Sequence, residues 1–103
     1  MENAGHGLLD GKKGIIFGAL IESSIAWAIA EAVHREGGRF ALSNAPVARR
    51  LGNLDALAER TGSPVFWADA TSDEDLQKLF EQVKEAFGQV DFVVHSIGMG
   101  MNV

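Results

Sequence analysis

Apolar runs alternate with segments of helical periodicity along the whole chain, and this alternation restricts the fold more than any other feature of the sequence. Four stretches predict parallel strands that are buried on both faces: 14–17, "RFALS", "SPVFWAD" and "VDFVVHSIG". Because right-handed crossovers join parallel neighbours, the pattern predicts a βαβαβαβ sheet of order 3-2-1-4. The predicted fold class is therefore α/β, a truncated Rossmann-like parallel sheet in one domain over residues 1–103.

Three predicted helices connect these strands. The first begins at the serine pair of "IESS" and ends at the glycine pair of "REGG". The second has Pro46 as its first helical residue and an apolar stripe of Leu51, Leu54, Leu57 and Ala58. In the third, "TSDEDLQKLFEQVKEAFG", Thr71 and Glu74 form a predicted capping box. The acidic run "DED" in its first turn suits the positive end of a helix dipole, so we interpret it as helix stabilisation and not as a metal site.

Composition excludes several classes of function. The chain has 103 residues, of which 47% are hydrophobic, and this size suits one globular core. The net charge of -5 argues against binding to nucleic acid or to anionic membranes. There is no cysteine for disulfides or thiolate chemistry, and three dispersed histidines offer no zinc site. The start, "MENAGHGLLDG", has no signal-peptide pattern, so a soluble cytoplasmic protein is expected.

The junction between the first strand and the first helix, "KKGIIFGALIESSIAWAIA", suggests a nucleotide-binding loop with only one glycine in the turn. Gly18 can make the tight turn, Ser24 can donate to a phosphate beside the helix amino end, and Ala26 is small enough for close helix packing. A plain strand-to-helix turn would accept the same residues, so the loop alone leaves both interpretations open.

Together with the later stretch "DFVVHSIG", this loop resembles the amino-terminal half of bacterial enoyl-acyl carrier protein reductases, a branch of the short-chain dehydrogenase/reductase superfamily. The family's Gly-x5-Ser-x-Ala loop matches Gly18, Ser24 and Ala26, and its "SIAW" and "HSI" motifs match 24–27 and 95–97. The resemblance covers about residues 7 to 100. It implies reduction of an enoyl thioester in fatty acid biosynthesis, with NADH expected ahead of NADPH, and acyl carrier protein as the partner of the whole enzyme.

The resemblance also implies a set of cofactor-binding residues, all at the carboxyl ends of strands. Around the pyrophosphate and its ribose it implies Gly18, Leu20, Ser24 and Ile25. At the adenine it implies Asp69 and Ala70. On the nicotinamide side it implies Ser96, Ile97 and Gly98. Alternatively, Asp69 is a turn residue, while Ser96 and Gly98 only terminate the strand.

Two departures from the family pattern bear on function. The catalytic tyrosine pair and lysine of the family follow the fourth strand, and this chain contains no tyrosine, so no catalytic residue is assigned and the 103-residue chain is expected to be inactive. The end of the second strand, "ALSNAPVARR", lacks the acid that would bind a ribose 2′-hydroxyl. Arg49 and Arg50 could instead reach a 2′-phosphate, although a solvated helix face is the interpretation that we prefer for them.

A second class of function is a self-associating Rossmann-like piece without useful cofactor affinity. In the predicted sheet, one helix alone must cover one face, and the fourth strand is an open edge. Both features predict a dimer or higher oligomer formed through that strand and the face left under-covered by the third helix, with exchange of the segment "IGMGMNV" as one route.

Overall fold

The structure is a computed structural model that describes residues 7–19, 24–48 and 52–96. Within these ranges the order of elements is β1 (Lys13–Phe17), α1 (Ile25–Arg35), β2 (Arg39–Ser43), α2 (Leu54–Thr61), α3 (Asp73–Phe87) and β3 (Phe92–His95). The architecture is an α/β Rossmann-like fold with three parallel strands and three helices in the described residues. The α/β class predicted from the sequence is confirmed.

The sheet has the order β2-β1-β3, with β1 in the centre. Both neighbours of β1 are parallel to it, as in a sheet built by helical crossovers. All of β2 after Arg39 is buried, and so is all of β1 after Lys13, as expected for strands covered on both faces. Since β3 is the predicted fourth strand, the neighbour relations of the first, second and fourth predicted strands are as expected.

The predicted third strand, "SPVFWAD", is not a strand, and the predicted order 3-2-1-4 is therefore not confirmed. The segment runs beside β2 on the edge away from β1 and forms one isolated parallel bridge, Leu42 to Val65. Backbone hydrogen bonds still hold it there: Leu42 N–H donates to the Pro64 carbonyl, and Phe66 N–H donates to the Leu42 carbonyl, both at 2.9 Å. It is an edge segment held from one side, and Pro64 has no N–H to contribute to a longer ladder.

The predicted second helix is interrupted. Pro46 lies in a turn, whereas Ala48 is helical and its carbonyl accepts a hydrogen bond from the Gly52 N–H at 3.1 Å. Asn53 then has non-helical angles (φ -129°, ψ 40°) immediately before α2 begins at Leu54. The Gly52-Asn53 pair explains the interruption, because both residue types are poor helix formers. The helix α2 ends at Thr61, and Gly62 caps it in the left-handed conformation.

The predicted capping box of Thr71 and Glu74 does not form, and the N-cap of the last helix is one residue later. Ser72 is the N-cap of α3, and its hydroxyl accepts a hydrogen bond from the Asp75 N–H at 3.2 Å. Thr71 cannot take this role, because its hydroxyl and its N–H both donate to the Asp69 carboxylate. The first turn of α3 carries three acids, as the sequence predicts.

Two hydrophobic clusters lie on opposite faces of the sheet. One packs α1 and α2 against Ile16, Phe40 and Leu42, and it contains the buried Trp27. The other packs α3 against the opposite face of β1 and β2. This division of the helices, two on one face and one on the other, is the one predicted from the sequence.

The side chains of strand β3 are more exposed than those of β1 and β2. Val93 is 49% exposed, whereas Ile15, its partner in register on β1, is 1% exposed. Partners in register point to the same face, so Val93 lies on the face that α3 covers at β1 but leaves open at β3. Across the described part of the chain, no helix is long and apolar enough to cross a membrane.

Candidate functional site

The carboxyl ends of the three strands lie level with one another. Phe17 in β1 is in register with Ser43 in β2 and with His95 in β3. The ladder continues one residue further, since the Gly18 N–H donates to the Ser43 carbonyl and the Ser96 N–H donates to the Phe17 carbonyl, both at 2.9 Å. Gly18 and Ser96, two residues of the predicted site, therefore lie at the same edge of the sheet. Open parallel sheets bind their ligands at this edge.

The turn after β1 leads into the amino end of α1 at the same edge. Gly18 has a φ of 113°, a conformation that glycine adopts without steric penalty. Ser24 is the N-cap of α1 in an extended conformation, and Ile25, the first helical residue, is 71% exposed. Because α1 must run back along the sheet to reach the start of β2, its positive end lies beside Gly18. Ala26 is buried in the core below, which fits the close packing expected of it.

The other part of the predicted site lies beyond β2. Asp69 Oδ1 accepts hydrogen bonds from the Thr71 hydroxyl at 2.7 Å and from the Thr71 N–H at 2.9 Å. These two bonds, the hydroxyl's first, hold the pKa of Asp69 below its usual value. The Asp69 N–H donates to Asp75 Oδ2 at 2.9 Å. Asp69 thus has the contacts of a turn residue, which is the alternative interpretation of this position. Ala70 is partly buried and packs against the cluster that contains α3.

Sequence reasoning missed two polar residues at the end of β2. Ser43 is fully buried, and its hydroxyl donates to the Phe66 carbonyl at 2.6 Å. The Asn44 side chain donates from Nδ2 to the Ala19 carbonyl at 2.8 Å, and its Oδ1 accepts from the Ala45 N–H at 2.7 Å. The available signal was the pair "SN" at the end of an apolar strand, since parallel sheets bind their ligands at the carboxyl ends of their strands.

Three residues of the predicted site, Leu20, Ile97 and Gly98, lie outside the described residues, as do Arg49 and Arg50. The cavities found among the described residues are elsewhere. One of about 340 Å³ lies at the amino ends of the strands and is lined by His34, Arg39 and Phe87 among others. Another of similar volume lies between α3 and the edge segment at Val65. The assignment of the candidate site to the edge with Gly18, Ser24 and Ser96 therefore rests on the strand ends and not on an enclosed volume.

Level strand ends, a glycine turn and a helix amino end at one edge define this chain as a Rossmann-like α/β protein whose candidate site lies at the carboxyl edge of its sheet. Comparison with known proteins gives the particular family. The family described as enoyl-(acyl carrier protein) reductase matches residues 18–102, and the chain belongs to that family.

Curated relatives agree with this assignment. The NADH-dependent enoyl-acyl carrier protein reductase of Aquifex aeolicus is 38% identical over 92 residues, which cover 88% of this chain and 34% of the relative. Among solved structures, the complex of FabI with NADH from Alistipes finegoldii has a TM-score of 0.88 at 50% identity, covering 91% of this chain and 34% of that one. The reductase of Anaplasma phagocytophilum in complex with NAD has a TM-score of 0.80 at 32% identity, covering 94% and 37%. The chain thus spans about a third of the length of these relatives.

Proposed function

We propose that this chain is the dinucleotide-binding part of an NADH-dependent enoyl-acyl carrier protein reductase of fatty acid biosynthesis, and that it acts in the cytoplasm. The observation that carries the proposal is the family match over residues 18–102, which include Gly18 and Ser96 at the carboxyl edge of the sheet. Two of the similar structures hold NADH or NAD. Acyl carrier protein is the proposed partner of the whole reductase.

The described residues fit a dinucleotide. A pyrophosphate needs backbone that can approach it closely and N–H groups that point at it. Gly18, with its φ of 113°, supplies the open turn, and the first N–H groups of α1 after Ser24 have no partners within the helix. When bound, the dinucleotide would supply the hydride of the reaction. The part of this chain is to bind and orient it: Gly18 and Ser24 at the phosphates, the segment at Asp69 near the adenine, and Ser96 on the nicotinamide side.

We further propose that these 103 residues do not reduce an enoyl thioester by themselves. The sequence contains no tyrosine, so no phenol is present to stabilise the developing enolate oxygen. Turnover of crotonyl thioester with NADH above a no-protein control would contradict this. Cofactor affinity should be modest, because this chain forms only one side of the crevice, and calorimetry that gives a submicromolar dissociation constant would contradict that expectation.

Titration with NADH, followed by tryptophan fluorescence, tests the binding proposal. Trp27 lies in α1, whose amino end forms part of the site, so saturable quenching is expected. The matched control is Thr61→Val, a substitution in the last turn of α2 near the opposite edge of the sheet, which should leave the titration unchanged. Linear, unsaturable quenching by NADH would reject cofactor binding and favour the structural alternative.

A second proposal, self-association, is favoured by the exposed strand β3. It is an edge strand in the described sheet, and its Val93 is 49% exposed beside buried neighbours. Unpaired strand edges with apolar side chains pair readily with another strand. We propose that a second copy of this chain occupies the edge, with the two β3 strands related by a two-fold axis. The segment "IGMGMNV", which could be exchanged between copies, lies outside the described residues.

Light scattering of the chain and of Val93→Lys tests this second proposal. The unsubstituted chain should be dimeric or larger at a concentration of about 100 µM, and the lysine should shift it toward monomer. Val47→Lys is the matched control, because Val47 is 64% exposed but lies in the turn after β2, away from β3. A stable monomer at that concentration, with no dye binding to exposed apolar surface, would refute the proposal.

A further inference from the structure

The side chain of Asn44 joins two loops that flank the candidate crevice. It follows β2 directly, is partly buried, and donates from Nδ2 to the Ala19 carbonyl at 2.8 Å. Ala19 is the residue after the Gly18 turn and is fully buried. The hydrogen bond therefore fixes the turn after β1 from the neighbouring strand, over a separation of 25 residues in sequence.

The backbone of the same residue supports the other side of the crevice. The Asn44 carbonyl accepts a hydrogen bond from the Ala68 N–H at 3.0 Å, immediately before Asp69. Asn44 Oδ1 accepts from the Ala45 N–H, which sets the orientation of the amide so that Nδ2 faces Ala19. One residue thus contacts the loop proposed for the pyrophosphate through its side chain, and the segment proposed for the adenine through its backbone.

We propose that Asn44 is a positioning residue for the dinucleotide, and that its side-chain amide holds the turn at Gly18 and Ala19 in the conformation that receives the pyrophosphate. This inference rests on the proposed cofactor-binding function. Many Rossmann-like proteins place an acid after β2, where it binds the ribose. In this chain the residue there is neutral, and its donor group is directed at a protein carbonyl.

The division between side chain and backbone gives a selective test. Asn44→Asp keeps an oxygen that can accept from the Ala45 N–H but puts an acceptor opposite the Ala19 carbonyl, so the turn loses its support. The backbone bond to Ala68 is retained. Binding of NADH and of ADP, which both carry a pyrophosphate, should weaken by about tenfold, whereas binding of adenosine should change by less than about twofold.

The measurement is a dissociation constant for each probe, from tryptophan fluorescence for NADH and from competition with NADH for ADP and adenosine. Asn44→Ser is too short to reach Ala19 and adds no charge, so it should show the same selective loss. A loss in the aspartate variant alone would indicate repulsion between its carboxylate and the pyrophosphate and would overturn the inference. Thr61→Val is the matched control; it removes a hydroxyl that donates to the Leu57 carbonyl at 2.9 Å in α2, and it should change none of the three constants.

Equal weakening for all three probes would overturn the inference, since it would mark Asn44 as a general structural residue. Unchanged binding in both Asn44 variants would overturn it as well, while saturable NADH binding by the unsubstituted chain would leave the proposed function standing. If the unsubstituted chain binds no NADH, the proposed function fails, and the positioning role fails with it.

Discussion

Replacing Gly18 by alanine should destabilise the chain by about 2 kcal/mol. Its φ of 113° lies beyond the left-handed region near 60° that other residues occasionally adopt, and such conformations cost up to about 3 kcal/mol in a residue with a Cβ. The Gly18 N–H is bonded to the Ser43 carbonyl, which prevents the turn from relaxing cheaply. Alanine also restricts the unfolded chain, which returns about 0.4–1 kcal/mol and leaves the net value near 2.

The matched variant is Gly62→Ala. Gly62 also has a positive φ, 67°, but this value lies within the left-handed region, and a Cβ there would meet no atom within 4 Å. The strain of about 1–2 kcal/mol is then largely offset by the effect on the unfolded state, for a net loss of roughly 0.5 kcal/mol. Urea unfolding, followed by the fluorescence of Trp27 and Trp67, should separate the two variants by about 1.5 kcal/mol, or roughly tenfold in the equilibrium constant.

All urea unfolding curves must be measured at one protein concentration, because self-association would make the measured stability depend on that concentration. If Gly18→Ala proves no more destabilising than Gly62→Ala, the turn after β1 is not held at the observed φ. The argument that Gly18 shapes the phosphate loop would then be wrong.

Three other outcomes are expected. Ser24→Asp should weaken NADH binding, because a carboxylate would face the pyrophosphate at the positive end of α1. Ser24→Ala should cost only about 1 kcal/mol of binding free energy, and calorimetry distinguishes the two variants. Ser72→Ala removes the N-cap of α3 and should lower the free energy of unfolding by about 1 kcal/mol in urea titrations. Hydrogen bonds from the Lys13 N–H and the Gln89 side chain lower the pKa of Asp91 below 3.8. Folding thus favours the ionised carboxylate of Asp91. Its contribution to the free energy of unfolding is fully present above the unfolded-state pKa and is lost as pH falls through the lowered pKa of the folded state. Asp91→Asn should therefore flatten the acid limb of a curve of stability against pH.

The elements that could be predicted from the sequence are those whose signals are local. The strand β1 is a continuous apolar run, and α3 has a regular apolar stripe between a polar amino end and Gly88, so each is specified by its own residues. The turn at Gly18 was also predictable from its own residue, because a glycine at a strand end usually marks a tight turn. Local patterns also place the candidate residues at strand ends, since parallel strands in a Rossmann-like sheet share one carboxyl edge.

The failures involve contacts that the residue pattern alone does not reveal. "SPVFWAD" has strand composition, but regular pairing requires neighbours, and the segment has β2 on one side with a proline near its start. The cap of α3 moved to Ser72 because Asp69 engages Thr71, a competition that the spacing alone does not reveal. Asn44 was missed for a similar reason: its partner Ala19 is distant in sequence, and an asparagine after a strand is equally common in ordinary turns.

The two edges of the sheet are chemically unequal, and this has a consequence for solutions of the chain at high concentration. A sheet with two regular edges can add partners at both, so that growth continues into fibres. On one side of this sheet the irregular segment at Pro64 and Val65 provides only one bridge and a residue without an N–H, which makes it a poor template. Among the described strands, β3 is then the edge at which strands can add, and a pair of copies joined there has used the regular edge of each described sheet. Concentrated samples should therefore reach a plateau of discrete size instead of forming filaments.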